Sequence, residues 1–235
     1  MKPERVAVVG AGPAGLAAAW ELQGAGVRVT LYEERGGPGG RMRSDAMDGA
    51  SVDVAVQLLS STYTHLLAMA RKAGVSERVV RAPGRDALWR KGRPHPITYG
   101  SIASMITSSA LPTGLKLRLA AKYLPFLGTE ARGLDANDPG GTGGAAHDTR
   151  SIGAWGAEHL GEDFVELLAY PLLAAYYGGV PEETSAAMYH ALARVGLDVQ
   201  VLAVRGGMGS LALALTESMR AKGVEFRSGA AVFFS

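Results

Sequence analysis

Six residues near the start of the chain have the spacing of a phosphate cradle: Gly10-Ala11-Gly12-Pro13-Ala14-Gly15, a G-x-G-x-x-G run. Gly10 permits a tight turn, Gly12 lets the backbone approach a diphosphate, and Gly15 lets a helix pack closely on a strand. The free amides of a helix opening here, with its dipole, favour negative charge. Glu33 stands 23 positions after Gly10, with Glu34 beside it. A carboxylate at this distance can accept hydrogen bonds from ribose hydroxyls. It also repels a 2′-phosphate, which argues against NADP. The competing reading is a glycine-rich turn in an unrelated α/β protein, with Glu33 simply solvated.

A second cluster follows closely: Gly39-Gly40-Arg41, then Ser44. The glycine pair allows another backbone approach to a diphosphate, and Arg41 is placed to pair with phosphate oxygens. A plain NAD dehydrogenase has no need of it, so it favours FAD over NAD. Its bland counterpart is a surface loop with a solvated arginine.

These residues need a strand before them and a helix after them. Residues 6–9 form a short apolar run that reads as a fully buried strand. Residues 13–24 have helical spacing and stop at Gly24 and Gly26, and 27–32 read as a second buried strand. Further on, 58–73 reads as a helix closed by Gly74, and 87–97 as a hairpin turning at Lys91-Gly92. Residues 102–127 read as mostly helical, punctuated by Pro112, Gly114 and Pro125. The glycine-rich stretch 129–149 reads as a flexible loop. Helices are expected at 152–160, at 163–177 with a kink at Pro171, at 185–195 and at 210–221; residues 223–234 return to a strand pattern.

Residues 6–44 resemble the N-terminus of the superfamily of flavin amine oxidases, protoporphyrinogen oxidases and phytoene desaturases. The resemblance rests on Gly10, Gly12, Gly15, Glu33, Gly39, Gly40 and Arg41. It implies FAD, held by Gly10, Ala11, Gly12, Pro13, Ala14, Gly15, Glu33, Glu34, Gly39, Gly40 and Arg41. Residues 49–57, with Asp53, are similar to a D-x-G segment beside the flavin, although Ala55 stands where glycine is usual. Residues 149–181 resemble the helical insertion of protoporphyrinogen and coproporphyrinogen oxidases. Residues 205–211, Arg-Gly-Gly-Met-Gly-Ser-Leu, are similar to the turn by which the chain re-enters the FAD domain, and Val232 falls at a backbone contact to adenine.

The fold class implied is α/β: a Rossmann-like FAD-binding domain with a parallel sheet and a βαβ N-terminus, interrupted by a mostly helical substrate-domain insertion. The expected division is 1–60, 61–200 and 201–235. The implied activity is that of a FAD-dependent oxidoreductase, protoporphyrinogen or coproporphyrinogen oxidase-like, acting on a small apolar or tetrapyrrole substrate. The alternatives are a carotenoid or squalene desaturase-like enzyme, an amine oxidase-like enzyme, and a catalytically silent FAD-binding subunit. Members of the superfamily are much longer, so a missing C-terminal half or a partner chain is expected, with poor solubility for the chain alone.

Composition bounds the rest. The chain has 235 residues and a net charge of +2, which steers no nucleic acid toward it. It has no cysteine, which excludes disulfides and thiolate chemistry. The five histidines show no metal-ligand spacing and read as surface or satisfied residues, and no metal is expected. No transmembrane run or signal peptide is read, so a cytoplasmic location is expected, with peripheral membrane contact through 102–127 as an alternative to an ordinary cap helix. Tyr176 and Tyr177 read as core aromatics or cavity lining. No catalytic acid or base is nominated, because a flavin performs its own redox step.

Overall fold

A computed structural model of the chain describes residues 4–82, 86–135, 146–197 and 199–233. The chain divides into two compact units, Met1–Pro83 with Gln200–Ser235, and Gly84–Val199. The first unit holds β1 (Arg5–Val9), α1 (Pro13–Gly24), β2 (Arg28–Glu33), β3 (Ser44–Met47), β4 (Ala50–Asp53), β5 (Leu59–Ser60), α2 (Thr64–Lys72) and β6 (Val79–Arg81). The second holds β7 (Asp86–Arg90), β8 (Arg93–Ile97), α3 (Ile102–Thr107), α4 (Thr113–Arg118), α5 (Leu124–Gly128), α6 (Ile152–Leu160), α7 (Glu162–Phe164), α8 (Tyr170–Tyr176) and α9 (Ala186–Gly196). The chain then returns to the first unit through β9 (Val201–Val204), α10 (Met208–Ala221) and β10 (Glu225–Ser228). Residues 61–83, assigned to the middle segment on sequence, pack with the first unit instead: Met69 and Ala70 of α2 are buried in its core.

The first unit is built on a parallel sheet of order β1-β2-β10, with Val8 and Phe226 both in register with Leu31. Leu16, Ala19 and Trp20 of α1 join Leu211, Leu215 and Met219 of α10 against Val29 and Leu31. Burying such a side chain contributes about 1.5–3 kcal/mol. The helices end alike. Ala25-Gly26-Val27, Ala73-Gly74-Val75 and Lys222-Gly223-Val224 each send the valine amide back five residues and the glycine amide back three, closing α1, α2 and α10. The glycines anticipated at these ends take positive φ, and Val27 and Val224 then lead straight into strands.

Several elements depart from the sequence reading. Among the described residues β1 pairs with β2 alone, and Val9 is 50% exposed, so β1 is an edge and not a strand buried on both sides. Its apolar run reads the same whether or not a second neighbour is present. β3 and β4 form a hairpin through Asp48-Gly49, both at positive φ, the turn such a pair favours; the sequence reading passed over it. The helix expected from residue 58 begins at Thr64, because Leu59–Ser60 pairs with β9. β10 stops at Ser228, where Gly229 turns with φ 67°, so 230–233 form no ladder. The expected strand residue Phe234 lies outside the described residues.

In the second unit β7 and β8 form the anticipated hairpin, with Lys91 and Gly92 both at positive φ. The helices surround a core that includes Leu115, Tyr123, Phe164, Leu173 and Tyr189. Pro125 and Pro171 do not break the chain's helical path. Each sits in the first turn of the α-segment resuming after a π-turn, Leu119–Tyr123 and Val165–Ala169 respectively, where the wider turn absorbs the missing amide. The polar, glycine-rich run 138–144 lies outside the described residues.

Candidate nucleotide site

Gly10 to Gly15 join β1 directly to α1, as the cradle requires. Pro13 occupies the first helical position, where a missing N–H costs nothing, and Gly12 caps the helix in extended conformation without a side-chain bond. The amides of Gly12, Ala14 and Gly15 therefore donate to no other group among the described residues. Gly15 admits no side chain: a Cβ there would lie 1.8 Å from the Gly10 carbonyl oxygen. Backbone donors left open at a helix N-terminus are the physical signature of an anion site.

Glu33 closes β2 and is 8% exposed. Its Oε2 accepts the Ala11 amide at 2.7 Å and its Oε1 accepts the Arg35 amide at 3.0 Å. An ionised carboxylate has about four lone-pair sites, so two remain for hydroxyl donors. Glu34 is exposed. The chain beyond β10 crosses this same end of the sheet: Gly229 donates to the Arg35 carbonyl at 3.0 Å and Ala230 to the Glu33 carbonyl at 2.9 Å. Val232, 37% exposed, follows two residues later. Residues 22 to 197 positions apart in sequence thus converge on one strand end.

The second glycine cluster abuts the first. The Gly39 amide donates to the Ala11 carbonyl at 2.8 Å, and a Cβ on Gly40 would lie 3.1 Å from Gly12 Cα, so the two loops touch through bare backbone. Arg41 lies in the short 3₁₀ turn Gly40–Met42, exposed, and its guanidinium makes no hydrogen bond or ion pair among the described residues. Its neighbour Arg43 is committed, bonding Asp45 through Nε at 2.8 Å and holding that carboxyl below its ordinary range. Ala11, beside the open amides, ties these parts together, its amide donating to Glu33 and its carbonyl accepting from Gly39, two residues before Arg41.

Other sequence candidates fall elsewhere. Tyr176 and Tyr177 are 39% and 54% exposed, so neither is a core aromatic; the Tyr176 hydroxyl donates to Asp86 at 3.1 Å. Two histidines are buried rather than surface residues. His95 is satisfied by Ser109 and the Arg90 carbonyl. His190 bonds the Tyr123 hydroxyl through Nδ1 at 3.2 Å, but its buried Nε2 has no partner. Within 102–127, Leu115, Leu119, Tyr123 and Leu127 are core residues and Arg118 pairs with Asp163. No helix among the described residues is long and apolar enough to cross a membrane. Sequence reasoning also missed the work of Asp53 and Ser44. They bond the start of α10, 155 and 165 positions away, and no local pattern announces that.

Comparison with known proteins agrees with this geometry. Residues 13–232 match the family model described as flavin containing amine oxidoreductase. The mitochondrial protoporphyrinogen oxidase of Nicotiana tabacum is 29% identical over 189 residues, covering 80% of this chain and 35% of that protein. A hydroxyneurosporene desaturase of Rubrivivax gelatinosus is 30% identical over 253 residues, covering 97% of this chain and 47% of that protein. A crystal structure of putrescine oxidase bound to putrescine superposes with a TM-score of 0.70 at 23% identity, covering 97% of this chain and 51% of that one, a likeness of fold. The chain thus spans about a third to a half of the length of these relatives.

Proposed function

The chain belongs to the family of flavin-containing amine oxidoreductases, and from that premise we propose that its first unit binds FAD as part of an oxidoreductase. The observation that carries this is the set of open amides at Gly12, Ala14 and Gly15 beside the buried Glu33 carboxylate. In this reading the amides and Arg41 take the diphosphate. Glu33, already oriented by two backbone donors, takes the ribose hydroxyls, and the backbone at Val232 meets the adenine. Glu34 stays at the rim. The close approach of Gly40 to Gly12, where a Cβ on Gly40 would lie 3.1 Å from Gly12 Cα, supports two bare-backbone loops serving one diphosphate.

FAD held by these residues would supply two-electron redox chemistry, the uptake of hydride from a substrate C–H as a C–N or C–C bond becomes a double bond. The protein's own part is binding and orientation: amides fix the phosphate charge, and Glu33 fixes the ribose and excludes a 2′-phosphate. The relatives' names span a porphyrinogen oxidase, a carotenoid desaturase and an amine oxidase. Of these, we propose a small apolar or tetrapyrrole substrate, because residues 149–181 resemble the porphyrinogen oxidases. The absorption spectrum of the purified protein tests the cofactor: flavin bands are expected, and their absence after incubation with FAD contradicts the reading.

A second reading has its own support. The outer edge of β1 is unpaired, and parallel strands are ordinarily buried between neighbours. On this reading the chain binds FAD but turns over only with further polypeptide that lays a strand along Arg5, Ala7 and Val9. A chain that reduces its bound flavin with substrate, unaided, contradicts it. Peripheral contact with a membrane is supported by exposed Ile106 and Leu117 and opposed by the pairing of Arg118; co-sedimentation with anionic vesicles decides it.

A further inference from the structure

α10 opens with the turn Gly206-Gly207-Met208-Gly209, and none of its own side chains caps it. Residues of the β3–β4 hairpin do so instead. Asp53 Oδ1 accepts the Met208 amide at 2.8 Å and the Ser44 hydroxyl at 2.5 Å, and Ser44 Oγ in turn accepts the Gly209 amide at 2.8 Å. Ser51 Oγ donates to the Gly206 carbonyl at 3.1 Å. The fit leaves no room. A Cβ on Gly207 would lie 2.6 Å from Ser44 Oγ, and one on Gly209 would lie 2.7 Å from the Ser44 amide. Negative charge at a helix N-terminus is stabilising, and this carboxylate supplies it across 155 residues of sequence.

The same hairpin carries the diphosphate loop. Val54 donates to the Arg43 carbonyl at 3.0 Å and Val56 to the Arg41 carbonyl at 3.2 Å, so the strand leaving Asp53 runs back along the Arg41 turn. Gly39, one bond from that turn, is tied to Ala11. Hydrogen bonds joined by short stretches of backbone thus run from the α10 N-terminus through Asp53 and Ser44 to Arg41 and the first glycine loop. We propose that Asp53, with Ser44, is a positioning residue for the cofactor site: by docking the hairpin on α10 it fixes the backbone from which Arg41 reaches the diphosphate. This rests on the reading of the first unit as a FAD site. The Asp53 carboxylate is itself spent on the α10 amide and a serine hydroxyl.

The test is FAD titration of the full chain, read by flavin fluorescence, with thermal melts alongside. Asp53→Ala is expected to weaken FAD binding about tenfold, and Asp53→Asn, which keeps an Oδ1 acceptor, to restore most of it. The deciding readout is coupling. Combined with Arg41→Ala, Asp53→Ala should add little further loss, because both act through one contact. Fully additive losses, or an unchanged affinity in Asp53→Ala with only a lower melting temperature, would overturn the proposal. Should Asp53→Ala fail to fold, Ser44→Ala removes the Gly209 acceptor and is read in the same cycle. Failure of the wild-type chain to bind FAD would defeat the site itself, and this inference with it.

Discussion

Two helices of the first unit begin in glycine-rich turns, and their N-termini are used in opposite ways. At α1 the amides of Gly12, Ala14 and Gly15 are left open and the nearby carboxylate of Glu33 faces the loop. At α10 the corresponding amides of Met208 and Gly209 are taken by Asp53 and Ser44. Both ends carry the same positive pole of a helix dipole. What separates a binding cradle from a structural joint is whether another part of the chain has already supplied the negative partner. The glycines differ accordingly: those at α1 clear space against backbone, and those at α10 clear space for side-chain oxygens.

The harshest way to break this comparison is Gly15→Val. Its Cβ would fall 1.8 Å from the Gly10 carbonyl oxygen, with backbone on both sides, so neither partner can yield cheaply. Loss of FAD retention is expected, about 100-fold or more, with a melting temperature lowered by several degrees. Full flavin loading of this variant would show that the α1 turn is not the cradle.

Acid also acts on the molecule away from the two helix ends. Burial pulls His190 from 6.5 to about 3, with His147 and His159 adding to the shift. Its stability contribution is complete above pH 6.5 and is lost as pH falls from 6.5 toward 3, because the unfolded chain binds the proton first. The full shift corresponds to roughly 5 kcal/mol. His190→Phe should flatten the pH dependence of the melting temperature over that range. An unchanged slope would assign the acid sensitivity to other groups.

Arg41→Ala sharpens the comparison at α1 alone. An exposed arginine with no partner contributes little to stability, so the melting temperature should stay within about 1–2 °C. FAD affinity should fall about tenfold, the value of a charge-assisted bond. Equal affinity with and without Arg41 would leave the diphosphate to the amides. Glu34→Gln is the mildest case: an exposed neighbour of the site, it should change affinity less than about threefold, and a larger loss would move the ribose contact from Glu33 to Glu34.

The parts of the fold fixed by nearest neighbours were legible in the sequence. Pro13 after Gly12, the terminal glycines Gly26 and Gly74, and the Lys91-Gly92 turn each dictate a local conformation, and α1 and α6 keep the limits anticipated for them. Glu33 and Gly39-Gly40-Arg41 were legible because their spacing from Gly10 is set by one strand–helix–strand unit. What depends on distant partners was not. β1 as an edge, β9 between β5 and β6, and the capping of α10 by Asp53 all follow from pairing across the chain. Burial of His190 was hidden likewise, since its partner Tyr123 lies 67 positions earlier on a helix that sequence alone could not orient.

The most direct test follows individual backbone amides of the labelled wild-type chain as FAD is added. The account predicts large chemical-shift changes at Gly12, Ala14, Gly15 and Gly40, with Met208 and Gly209 nearly still because their donors are already engaged. Shifts centred on Met208 and Gly209, with the α1 amides unmoved, would contradict it.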